Sequence, residues 1–320
     1  MSSPLATLAR TYRTFASHEA HGVSYSYERY ALSVAENDDC LRRLLELPEA
    51  KRQPNLLLAA TRHAVGLPQE GMDFAGHVMK AWDEVLPTML ARSTQTNEPG
   101  RCACLLPALA RIEGPLALIE VGAAAGLCLL PDRYGYDWGQ ARLDPPDGVG
   151  PVFPCEADPS TPFPSTYPEI AWRVGLDLNP LDVTNMEEMD WLRTLVWPEQ
   201  VDRLVRLDAA IEVARRDPPC VVAGDLLQKT EALVAEAPRG ARCVVFHSAV
   251  LSYVDPGMRK AFAELMNDLE VDWLSNEGRR VLPDLVPEDA PEGDPGAFVL
   301  SLNGRAIAHT GPHGQFLRWL

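Results

Sequence analysis

The sequence predicts an α/β protein: a doubly wound, mostly parallel seven-stranded sheet with an antiparallel edge, preceded by an N-terminal helical domain. Three observations predict it. Through the first 113 residues apolar side chains recur at three- and four-residue intervals, as in Leu41, Leu44, Leu45 or Val78, Trp82, Val85, Leu86, Met89, the stripe of a helical bundle. From Leu116 onward the pattern becomes short, near-continuous apolar runs separated by helical segments, which specifies strands covered on both faces and joined by right-handed crossovers. The last runs follow one another without long helices between them, so they form an antiparallel edge.

In chain order, helices are expected over 5–15, 25–47, 55–65, 72–91 and 102–112, punctuated by Pro48, Pro54, Gly66, Pro68 and Pro99. Residues 1–113 thus read as a helical cap on the substrate side. Residues 114–320 carry expected strands at 116–121, 172–178, 220–224, 243–247, 271–276, 298–302 and 306–309, with 316–319 as a further one. Helices are expected near Leu127 and over 187–196, 200–215, 226–235 and 257–269. Nine prolines interrupt the regularity over 131–170. This insertion is too long for an ordinary connection, and Tyr134, Tyr136 and Trp138 point to an ordered flap beside a pocket. Trp82, Trp191 and Trp197 stand among Leu and Val at helical positions and are expected in the core.

At 320 residues and 46% hydrophobic, the chain can bury a large core and a smaller helical unit. Its 45 acidic and 29 basic side chains give a net charge of −16, which repels phosphate backbones and anionic lipid, so neither nucleic acid nor membrane is an expected partner. No apolar run approaches the roughly 18–20 residues that cross a bilayer. The opening residues lack the apolar core of a secretion signal, and a cytoplasmic location is expected. Seven scattered cysteines, at 40, 102, 104, 128, 155, 220 and 243, fit reduced thiols better than a disulfide framework.

The most informative stretch is LALIEVGAAAGL, residues 116–127: an apolar strand ending in an acid, a small-residue turn, then an expected helix. Gly122 and Gly126 remove side chains where backbone must approach a ligand, and the helix would aim its N–H groups there. Ala124 then needs a negative φ. Glu120 suits hydroxyl and ammonium groups and repels a pyrophosphate. The alternative is a close-packed turn without ligand.

The series LIEVGAAAGLCLLPDRY, GLDLNPLDV, LRTLVWPEQ, VVAGDLL, VVFHSAVLSY and HTGPHGQFLRW resembles the bacterial domain of unknown function 2332 family over nearly the whole chain. Strand order and motifs also resemble the Rossmann-like class I S-adenosylmethionine-dependent methyltransferases. That resemblance implies S-adenosylmethionine as cofactor, held by Glu120, Gly122, Ala124, Gly126, Asp177, Asn179, Asp225, Leu226, His247 and Ser248. Asp177, ending the second major strand, would accept the ribose hydroxyls, with Asp182 as rival. Asp225 would sit at the adenine edge, with Leu226 and Leu227 on the base, or cap the next helix. His247 would act as general base or position the methionine part through its backbone, and Tyr253 would point the same way. Asn276, Glu277, His309 and His313 would shape the pocket rim, with His313 counted among the catalytic groups; the turn spacing of the two histidines favours a rim over a metal site, and no metal is expected.

The implied function is methyl transfer to a small-molecule substrate, with a homodimer as the assembly to test. Two alternatives stand beside it. One is a cofactor-binding or regulatory protein without transfer activity. The other is an NAD(P)-dependent oxidoreductase, against which the turn lacks G-x-G-x-x-G spacing.

Overall fold

The computed structural model describes residues 3–68, 71–95, 97–283 and 296–320. Two compact units share the chain: residues 1–96 with 190–205, and residues 97–189 with 206–320.

The first unit holds α1 (Pro4–Phe15), α2 (Tyr25–Ala35), α3 (Asp38–Leu45), α4 (Pro54–Val65), α5 (Phe74–Lys80) and α6 (Trp82–Ala91). Four of these begin on a side-chain cap: Ser3, Ser24, Asn37 and Asp73 each accept the amide three residues on. The capping explains one departure from the expected helices. Asn37 Oδ1 takes the Cys40 N–H at 2.9 Å and starts a new helix, so 25–47 divides into α2 and α3. The segment 72–91 divides at Ala81, whose backbone leaves the helical region at φ −107°, ψ 15°. Tyr12, Tyr27, Leu41, Leu44 and Phe74 fill the core. Trp82 and Trp191 are buried in the same core and Trp197 packs against it. The Trp191 indole donates to Ser93 O at 2.9 Å and that of Trp197 to Asn55 Oδ1 at 3.1 Å.

The second unit begins with α7 (Cys102–Leu109), which the sequence groups with the preceding helices; all eight of its residues are buried, as a helix apolar on every side requires. The strands β1 (Leu116–Val121), β2 (Gly135–Asp137), β3 (Arg142–Leu143), β4 (Val152–Pro154), β5 (Glu156–Ala157) and β6 (Ile170–Asp177) follow. Next, α8 (Met186–Thr194) and α9 (Val201–Arg216) carry the chain through the returning segment 190–205. The remainder is β7 (Val221–Ala223), α10 (Leu226–Glu236), β8 (Arg242–Ser248), α11 (Pro256–Asp268), β9 (Asp272–Gly278), β10 (Phe298–Leu302), β11 (Arg305–Thr310) and β12 (Phe316–Trp319).

The main sheet has nine strands rather than the expected seven, in the order β5-β12-β11-β10-β9-β8-β1-β6-β7. Strands β7, β6, β1, β8 and β9 are mutually parallel, and β10, β11 and β12 alternate as the expected antiparallel edge. The strand missed outright is β5, two residues from the insertion that pair in parallel with Phe316 and Leu317. Two residues carry no readable period, yet they cover the outer edge of β12. Central β1 is buried along its whole length.

The insertion is ordered. Strands β3-β2-β4 make a second small sheet, with Tyr136 stacked on Trp138 at 5.4 Å and Phe153 edge-on to Tyr134. Its polar tips point inward: Tyr134 Oη donates to Leu127 O and Trp138 Nε1 to Ala103 O, each at 2.8 Å. Arg173 of β6 clamps Asp132 through two bonds of 2.7 and 2.9 Å. Among the described residues no helix is long and apolar enough to cross a membrane.

Candidate functional site

Parallel strands β1, β6, β8 and β9 bring their carboxyl ends to one edge of the sheet, and the polar residues of interest cluster there. The turn after β1 has three left-handed residues, Gly122 at φ +74°, Ala124 at +48° and Gly126 at +70°. The negative φ expected at Ala124 is overturned by its partners: the Ala124 N–H donates to Asp177 Oδ2 at 2.8 Å, and its carbonyl accepts the Leu181 N–H at 3.0 Å. A left-handed alanine costs about 1–2 kcal/mol. Ala124→Gly should therefore raise stability by about 0.5–1 kcal/mol, since glycine's larger unfolded-state entropy offsets part of the gain; a thermal melt checks it.

Neither glycine faces open space. A Cβ on Gly122 would overlap Val250 Cγ2, and one on Gly126 would stand 2.8 Å from Pro219 Cγ. Their missing side chains admit protein rather than ligand, as in the close-packed alternative. The helix expected near Leu127 is a single 3₁₀ turn, Leu127–Leu129, too short to present a row of amides; the Leu127 N–H goes to Asn97 Oδ1 at 2.9 Å.

Glu120 is 4% exposed and its Oε2 has no hydrogen-bond partner. Burial pushes its pKa well above the usual carboxylate value, the neighbouring Cys128 and Asp177 add to the rise, and Arg101 opposes it. A carboxyl raised on folding contributes stability below its ordinary value, about 4.3, and loses it as pH climbs through the folded value. Glu120→Gln should therefore gain stability over the parent at pH 8, with the gain vanishing near pH 4, measured by urea unfolding at both.

Asp177 ties the turn to β6: besides Ala124 it accepts the Asn179 N–H at 2.8 Å, Asn179 itself being exposed. Asp182 is exposed and folds back on Thr184, whose N–H and hydroxyl donate at 2.8 and 2.7 Å; the hydroxyl bond, then the amide bond, hold its pKa below the usual value. Asp225 caps α10, accepting the Leu227 N–H at 2.9 Å, and Leu226 lies in the core with Val174 and Leu233. Asp225→Ala should cost about 1 kcal/mol in a thermal melt through the lost cap.

His247 is fully buried and both ring nitrogens are engaged. Its Nε2 accepts the Trp273 indole N–H at 3.0 Å, which leaves the ring proton on Nδ1, 2.8 Å from Glu277 Oε1. The same oxygen accepts the Val250 and Leu251 amides at 2.9 and 3.1 Å. His247 thus braces the loop after β8 and is not placed as a general base. Tyr253 is 75% exposed in the 3₁₀ turn Leu251–Tyr253, and His313 is exposed, its amide on Gln315 Oε1. Neither joins the buried cluster. His309 is buried with Nε2 unpartnered. Asn276 does join: its Nδ2 donates to Ser248 Oγ at 2.9 Å and its Oδ1 accepts the Thr310 hydroxyl at 2.7 Å. Among the described residues no three His, Cys, Asp or Glu side chains are grouped to hold a metal ion.

The sequence reading missed Arg101. It is 6% exposed, with Nε donating to Pro312 O at 2.8 Å and Nη1 to Ser248 O at 2.9 Å. Close backbone approach at Gly100 and Gly314 seats it: a Cβ on Gly314 would overlap the Gly100 carbonyl. The available signal was an arginine heading the apolar run RCACLLPALA, where a charge has to be paired or used.

No curated protein matches the chain. A family model described as an uncharacterized protein conserved in bacteria (DUF2332) matches residues 9–319, and the chain belongs to that family.

Proposed function

We propose that the sheet unit is a methyltransferase that binds S-adenosylmethionine at the carboxyl ends of its parallel strands and methylates a small molecule. The observation that carries this reading is a carboxylate at or just past the carboxyl end of each of three adjacent strands: Glu120 on β1, Asp177 on β6 and Asp225 two residues after β7. The order β7-β6-β1-β8-β9 supports it, because doubly wound, Rossmann-like sheets run third, second, first, fourth, fifth and take ligands at that edge. A carboxylate accepts about four hydrogen bonds, so Asp177 can hold the turn and a ribose together. Methyl transfer is an in-line displacement that positioning can drive without a protein base, which accords with the buried, engaged His247.

Calorimetry with S-adenosylmethionine and S-adenosylhomocysteine at high protein concentration tests the reading. Heat of binding with either is expected, and Asp177→Ala should weaken it by about 1–3 kcal/mol; no heat with both overturns it. The sequestered His247 favours a second reading, a cofactor-binding protein without transfer. That reading gains if cofactor binds and no acceptor in a cell extract takes up labelled methyl. Thermal protection by NAD instead would favour the oxidoreductase.

A further inference from the structure

We infer that the opposite edge of the main sheet carries a separate small-molecule site, a cavity that takes a small aromatic carboxylate.

The cavity, of about 330 Å³, lies between the end of α7, the hairpin joining β10 to β11, and the end of β12. Strand register gives its place. Leu302 in its wall pairs with Leu274 near the start of β9, and β9 runs parallel to β8 and β1. The cavity therefore stands at the amino ends of the strands whose carboxyl ends form the candidate site. All its lining residues belong to the sheet unit. Small-molecule pockets span roughly 300–1,000 Å³, so this volume suits a small occupant.

The lining divides into an apolar wall and two cations. Ala108, Ala306, Ile307 and Trp319 supply the wall, Arg111 and Arg305 the charge, and no acid is among the lining residues. Asp272, which touches the lining residue Asn303, is already paired with Arg242. Arg111 Cζ stands 5.9 Å from the centre of the Trp319 ring. A ring face attracts a guanidinium through its charge without using up its five N–H donors, so those of Arg111 stay available. Among the described residues neither arginine has an ion pair or a side-chain hydrogen bond. An arginine just past α7 also answers the carbonyl end of that helix. Arg305 comes from β11, and helix ends do not account for it. In a chain of net charge −16, these two cations share a cavity and lack a counter-ion.

The lining selects the ligand. An amine is repelled. A zwitterion brings an ammonium that meets no acid. Inorganic phosphate satisfies the arginines and leaves the apolar wall unused. An aromatic carboxylate uses both: its head docks on a guanidinium through two parallel bonds, and its ring covers Trp319 and the aliphatic wall.

Calorimetry on the full chain tests this with benzoate and benzyl alcohol, indole-3-acetate and indole-3-ethanol, and inorganic phosphate. At least one carboxylate should bind with a Kd below about 1 mM, and about tenfold tighter than its own alcohol. Arg111→Gln and Arg305→Gln should each weaken it about tenfold. Arg239→Gln, at an exposed arginine outside the lining, should leave it unchanged. Arg111 and Arg305 are exposed, so neither substitution opens a core, and a thermal melt of each variant checks this. Four results overturn the inference: both carboxylates weaker than about 1 mM, a preference over the alcohol under about threefold, phosphate binding tighter than either carboxylate, or affinity that ignores both arginines. Nucleoside binding at the other edge is measured separately and bears on none of these outcomes.

Discussion

Gly122→Ala is expected to lower the unfolding free energy by about 3 kcal/mol, one of the two largest effects of any single change proposed for this chain. Two independent costs add. The backbone at φ +74° lies in the left-handed region, where a Cβ costs about 1–2 kcal/mol. The new methyl would also overlap Val250 Cγ2, with Cγ1 2.7 Å away, and overpacking of this kind costs about 1–3 kcal/mol. The site has little room to yield. Backbone bonds from Gly122 N and Ala123 N to Leu176 O, at 2.7 and 3.2 Å, hold the turn, while Val250 is fixed by its amide on Glu277. Urea unfolding of Gly122→Ala, Val250→Ala and the double variant separates the two costs. The double variant should regain the steric part and keep the conformational part, a coupling of about 1 kcal/mol or more. A loss below about 1 kcal/mol in the single variant would mean that the turn relaxes and does not clamp the loop after β8.

The glycine turn shows where local sequence informs and where it does not. The apolar run before it fixes β1 to the residue, because a strand buried on both faces leaves no polar position to blur its ends. What the glycines admit is a tertiary fact: Val250 and Pro219 lie some 90 residues or more along the chain, and small residues before a ligand look the same as small residues before a neighbour. Asp225 was legible as a cap because capping is local. The engagement of the His247 ring was not legible in its own strand because its partners come from β9. A local signal did exist there, since Trp273 and Glu277 share a face at the two-residue period of a strand, flanking a histidine one strand over. Arg101 needs contacts to residues 248 and 312, which no spacing announces.

Glu277→Ala is the other substitution with a large expected effect, a loss of about 3–4 kcal/mol. Glu277 Oε1 alone accepts three hydrogen bonds, from His247 Nδ1 and the Leu251 amide in a buried setting and from the amide of half-buried Val250. Removing the acceptor strands three donors at once, two of them buried, and each buried unsatisfied donor costs about 1–3 kcal/mol, with less than full additivity inside one network. Glu277→Gln keeps an oxygen at the same reach while exchanging charge-assisted for neutral bonds, so its loss should be nearer 1 kcal/mol. Two readouts tie the loss to this network. Hydrogen exchange at the Val250 and Leu251 amides should accelerate in Glu277→Ala beyond the global change. Trp273 fluorescence should shift as well, because its indole N–H rests on the His247 ring that Glu277 orients. The consequence reaches the turn after β1, since Val250 is the side chain that packs on Gly122. If Ala and Gln variants lost stability equally, the shared acceptor oxygen would not be what holds this loop, and the brace from Trp273 through His247 and Glu277 to the glycine turn would have to be abandoned.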